Sequence, residues 1–195
     1  METPDRRVVE LTDPRALRAL AHPLRLALVG MLRRQGPLTA TRAAQLLGES
    51  SASCSFHLRQ LAKYGLVEEA GGGTGRQRPW QATARATRWS DLTDDAELSE
   101  ATGALTTVLA ESYLRGMLRW IETRDAAPAD WRRAAAFGDA GLHLTAAELA
   151  DLNEKVDELV AGYAGRDDPA NRPDGARHVT FLQVSYPTPD DGRQV

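Results

Sequence analysis

The segment SSASCSFHLRQLAKYGLV, Ser50 to Val67, limits the possible folds of this chain more than any other. At about 100° per residue, helical winding puts Cys54, Leu58 and Leu61 on one face. Ala52, Phe56, Arg59, Gln60 and Lys63 point the other way, with Ser53, Ser55 and His57 on the flanks. Ser50 or Ser51 supplies an N-cap oxygen, and Gly65 ends the helix. So narrow an apolar face is buried only if other helices lie against it.

The residues before it supply those helices. Asp13-Pro14 is a cap followed by a proline suited to a first helical turn, and Leu17, Leu20, Leu24, Leu28 and Leu32 recur at three- and four-residue spacing. Pro23 divides this pattern into a helix to about Leu20 and another from Pro23 to Gln35, which Gly36-Pro37 stops. Thr39 caps a third helix, Ala40 to Leu47, closed by Gly48. Two short helices joined by a glycine-containing turn of about three residues form a helix-turn-helix. A hairpin of wing type follows: Leu66 to Glu69 as one strand, Gly71 to Gly75 as the tip, and Arg76 to Gln81 as the returning strand. Arg76 and Arg78 stand near the tip, and Pro79 implies that the returning strand lies at an edge.

Charge is divided between the halves. Residues 1–90 carry a net +7 and residues 91–195 a net −10, giving −3 for the chain. A basic first half points to a polyanion as its partner. Serine hydroxyls and backbone N–H groups at a helix start suit phosphate. Arg and Gln make paired hydrogen bonds to guanine and adenine edges, and an outward Phe56 fits a thymine methyl or a deoxyribose. The candidate DNA contacts are therefore Ser51, Ser53, Ser55, Phe56, His57, Arg59, Gln60, Lys63, Arg76 and Arg78.

The strings ALAHPLRLALVGML, LTATRAAQLLG and SCSFHLRQLAKYGLVEE, in this order, resemble the ArsR family of bacterial winged-helix repressors. The resemblance covers roughly Asp13 to Trp80. It implies a homodimer paired through the first helix and the long helix after the wing, binding an inverted repeat in double-stranded DNA. It also implies reading by Ser51, Ser55, Phe56 and their neighbours, with the wing arginines on the backbone or in the minor groove. Two departures bear on the signal. Metal-sensing members carry a Cys-x-Cys box in the third helix, where this chain has Ala40 to Ala44 and no cysteine, and others place ligands on the long helix, where Leu98 to Arg124 has no histidine. No metal and no cofactor are expected.

Other chemistries find little support. Cys54 is the single cysteine, which excludes a disulfide framework, and its place on the inner face suits packing better than redox work. Gly71 to Gly75 lacks the Gly-Lys-Ser/Thr of a phosphate cradle, no nucleophile elbow occurs, and the roughly 100 residues after the wing are short for a Rossmann domain. The chain is not expected to be an enzyme. With no signal-peptide pattern and no apolar run of 18 residues, a cytoplasmic protein with no membrane partner is expected.

The expected fold is mostly α with small β: a winged helix-turn-helix domain over residues 1–90, then a dimerisation and effector region over 91–195 with a disordered tail. That region opens with a long helix, Leu98 to about Arg124, whose Gly103 and Gly116 suggest close helix packing. A small α/β unit follows: Thr145 and Glu148 form a capping box, Gly141 to Leu144 and His178 to Tyr186 suit strands, and Gly165 closes the helix between them. Tyr113, Trp120, Trp131, Phe137 and Phe181 are the side chains a pocket for a small organic effector would use; a plain α/β core uses the same residues. The competing function is a protein-interaction module in which DNA contact is incidental.

Overall fold

Short-range signals form most of the helices. In the computed structural model, which describes residues 8–71, 78–84, 86–90 and 93–188, Asp13 caps α1, Pro14–Leu20, by accepting from the Arg15 amide at 2.9 Å. His22 caps α2, Pro23–Gln35, through its ring nitrogen Nδ1. The side chain of Thr39 caps α3, Ala40–Leu47, and that of Ser50 caps α4, Ser51–Lys63. Gly48, at φ 70°, ends α3 in the left-handed region that suits glycine, and Gly65, at φ 66°, turns the chain out of α4.

The chain divides into two compact units, Met1–Arg124 and Asp125–Val195. The first unit is mostly helical with small β. One core joins Leu17 and Leu20 of α1, Leu28 and Leu32 of α2, Ala43 and Ala44 of α3, and Cys54, Leu58 and Leu61 of α4. Ala101 and Leu105 of α5, Ala96–Thr123, complete it. A boundary at residue 90 would detach α5, yet α5 lies against α1, where Arg18 Nη1 meets Glu97 Oε1 at 2.7 Å.

The sheets depart from expectation in two ways. Val8–Glu10 (β1) pairs in parallel with Ala86–Arg88, a contact that no local pattern announced. The second sheet consists of β2, Leu38–Thr39; β3, Val67–Glu69; and β4, Pro79–Ala82, with the Ala86–Arg88 strand then β5. Its order is β2-β4-β3, so the strand that begins at Pro79 is central and not at an edge. Proline is tolerated because it occupies the first position of that strand, where its carbonyl still accepts from the Ala70 amide at 2.7 Å.

Along α5 the environment changes. Ala101 and Leu105 are fully buried, Leu109 partly so, and Tyr113, Leu114, Met117, Leu118 and Ile121 are exposed. At Gly103 and Gly116, among the described residues, no atom outside the adjoining turns of α5 lies within 4 Å of the place a Cβ would take.

The second unit contains α6, Ala129–Ala134, and α7, Ala146–Ala161. The Thr145–Glu148 capping box opens α7, with the Thr145 amide 2.8 Å from Glu148 Oε2. Residues 141–144 and 178–186 alternate like strands but lie in no sheet, because an alternating pattern makes a strand only where another backbone supplies a ladder. Asn153 of α7 accepts side-chain hydrogen bonds from Gln183 at 2.8 Å and Ser185 at 3.0 Å. Among the described residues of this unit none is buried.

Candidate nucleic-acid interface

Packing fixes which side of α4 faces outward. Cys54, Leu58 and Leu61 are all at zero exposure, so the opposite side, with Ser51, Ala52, Phe56, Arg59 and Lys63, is turned out. Ser53, Ser55, His57 and Gln60 are half-buried along its margins. The start of α4 is held to α3 by the Thr41 and Ser51 hydroxyls, whose oxygens are 3.2 Å apart.

A polar groove of about 260 Å³ runs along this face. Thr39, Ala40 and Thr41 form one wall at the start of α3; Ser51, Ser55 and Arg59 form the floor on α4; and Glu69, Arg78 and Trp80 form the other wall at the hairpin base. Four expected contacts thus come together: Ser51, Ser55, Arg59 and Arg78. Ser53, Phe56, His57, Gln60 and Lys63 are on α4 but outside the groove, and Arg76 lies outside the described residues. Thr39, Thr41, Glu69 and Trp80 escaped the sequence reading. Thr39 was visible there only as a cap, and Glu69 only as part of a strand.

The hairpin explains the second wall. Val67 pairs with Ala82 and Glu69 with Trp80, so these share a face, whose inner end, Val67 and Ala82, is buried. Glu68 and Gln81 pair on the other face, with Gln81 Nε2 donating to Glu68 Oε1 at 2.7 Å. Glu69 and Trp80 carry the inner face out past the core, and Arg78, two residues before Trp80, shares that side. Arg78 Nη1 donates to Glu69 Oε2 at 2.8 Å.

At the inner flank of α4, His57 stacks at an angle on His22, with ring centroids 4.6 Å apart, and Phe56 packs edge-on against His57. His57 Nδ1 is enclosed and has no hydrogen-bond partner among the described residues. His22 Nδ1 accepts from the Leu24 amide at 3.1 Å, which requires a bare nitrogen. Burial lowers the pKa of His22, and Arg25 lowers it further. Burial also dominates at His57, with His22 and Arg25 adding to it and Glu49 opposing. Both folded-state values lie below the ordinary 6.5, so the unfolded chain binds more protons there. The contribution to stability is complete above 6.5 and is lost as pH falls through the folded values. A pH series of thermal midpoints is therefore expected to decline below 6.5. The variant His22→Asn, which keeps a capping acceptor, is expected to decline less steeply. Parallel curves for variant and wild type would mean that this pair does not set the decline.

The proposed effector residues fall in both units. Tyr113 is exposed and Trp120 half-exposed on α5 of the first unit. In the second, Phe137 and Phe181 are exposed, while the Trp131 ring carries the Arg177 guanidinium 5.4 Å from its centroid. Among the described residues no group of three or more His, Cys, Asp or Glu side chains is placed to hold a metal ion, and no helix is long and apolar enough to cross a membrane.

A family model described as a helix-turn-helix domain matches residues 20–70, which run from the end of α1 to the end of β3. No curated protein matches the chain.

Proposed function

We propose that the helix-turn-helix domain of residues 20–70 makes this chain a homodimeric, sequence-specific DNA-binding transcription regulator, a repressor acting in the cytoplasm. The observation that carries the reading is the groove itself. Hydroxyls from Thr39, Thr41, Ser51 and Ser55 and guanidinium groups from Arg59 and Arg78 converge there from three elements. Hydroxyls and a helix start hold phosphates, and Arg59 beside Gln60 addresses base edges in the major groove.

The exposed apolar stripe of α5, Tyr113 to Ile121, is the surface on which two copies pair. Apolar area of this kind on a helix end calls for a partner. A symmetric pair places two α4 helices in successive major grooves, about 34 Å apart, so the operator is an inverted repeat. The inducing signal is an organic ligand or a protein rather than a metal, since α3 and α5 carry no cysteine or histidine. The candidate contacts for an organic effector are Tyr113 and Trp120 in the first unit and, separately, Trp131, Phe137 and Phe181 in the second, and the chain performs no catalysis.

Selection from random duplexes with the full-length protein tests this. The recovered sequences are expected to converge on an inverted repeat, and log K is expected to fall linearly with log salt at about −0.9 per neutralised phosphate. The double variant Arg59→Ala, Gln60→Ala should lose both affinity and part of that slope. If the double variant bound like wild type, the interaction-module reading would replace this one.

A further inference from the structure

The groove contains one charge that does not suit a polyanion. Among its described lining residues Glu69 is the single acid, facing two arginines, and it is paired to Arg78 across the hairpin at 2.8 Å. Both side chains are substantially exposed, 67% for Arg78 and 44% for Glu69. An exposed pair of this kind adds little to folding, so the fold does not explain a carboxylate at this position. Its position does have an electrostatic consequence. While Arg78 is paired, its charge is largely cancelled and its guanidinium is turned toward Glu69 instead of a phosphate.

On the reading that this groove binds DNA, we infer that Glu69 is a specificity-determining residue that restrains Arg78, withholding one wing cation from DNA of arbitrary sequence. Non-specific affinity comes almost wholly from cations on phosphates, so neutralising one of them weakens binding to every duplex alike. At the correct site, base contacts from α4 fix the register of the protein, so Arg78 stays on Glu69 and a freed guanidinium gains little there, whereas on random DNA the register shifts to satisfy whichever cations are free. The pair thereby widens the gap between the right sequence and the rest, as an unfavourable element against competitors does.

The test uses the full-length protein with two probes, a random-sequence duplex and a duplex enriched by selection, between 50 and 200 mM salt. Glu69→Gln is expected to bind the random duplex about three- to fivefold tighter, with a salt slope steeper by about 0.9, one added phosphate contact. The enriched duplex should gain about twofold or less, so discrimination shrinks. In the double variant Glu69→Gln, Arg78→Gln the gain on random DNA should vanish. An unchanged affinity and slope in Glu69→Gln would overturn the inference. So would a gain that persists in full in the double variant, which would mean simple removal of repulsion rather than release of Arg78. If the wild type bound neither duplex in a salt-dependent way, the DNA-binding reading itself would fall and this inference with it. That outcome is separate from a wild type that binds while Glu69→Gln changes nothing.

Discussion

Replacing Leu58 by alanine is expected to cost about 2–5 kcal/mol of folding free energy, because a fully buried leucine leaves a cavity as well as losing its transfer free energy. Leu58 is at zero exposure in the core on which α4 is seated, a cluster that also includes Leu28 and Leu32 of α2. Total stability of such a domain is about 5–15 kcal/mol, so this one change removes a large fraction of it. The thermal midpoint should fall by roughly 6–15 °C, at about 3 °C per kcal/mol for a chain of this size. Phe56→Ala, two residues earlier and 54% exposed, should leave the midpoint within about 2 °C. Denaturation followed by circular dichroism measures both. Similar losses at the two positions would mean that α4 is not docked by the face described.

The second large effect concerns pairing of two copies. Leu118→Glu places a charge in the middle of the exposed stripe of α5 while keeping a good helix former. Sedimentation at micromolar concentration is expected to shift from dimer to monomer. Affinity for an inverted repeat should drop about a hundredfold or more, since each half-site is then bound without the other. The melting midpoint of the variant monomer supplies the control, because among the described residues Leu118 neither belongs to the core nor packs against it. A variant that stayed dimeric and kept its affinity would move the dimer surface elsewhere.

Much of the first unit was legible because its signals are local. Caps at Asp13, Thr39 and Ser50, glycine stops at Gly48 and Gly65, and the inward spacing of Cys54, Leu58 and Leu61 each act within a few residues. What was missed depends on distant neighbours. The pairing of β1 with β5 joins residues about eighty positions apart, and three residues with two apolar side chains signal no strand alone. Pro79 suggested an edge, because a strand's centre forbids proline; that rule exempts the first residue, and the short β2 pairs there. Thr39, Thr41, Glu69 and Trp80 became groove residues only when folding set α3, α4 and the hairpin side by side. In the second unit, residues 178–186 carry the alternation of a strand, but a ladder is a property of two segments, and the pattern of one does not name the other.

The chain's single thiol, Cys54 Sγ, is on the concealed side of the same helix that offers Arg59 outward. Burial and the nearby Glu49 carboxylate also hold the thiol above its usual pKa, which suppresses the reactive thiolate. Its modification is therefore gated by detachment of α4 from its bed, and alkylation kinetics become a clock for that detachment. Any ligand that grips the outer face without touching Cys54 would slow the clock.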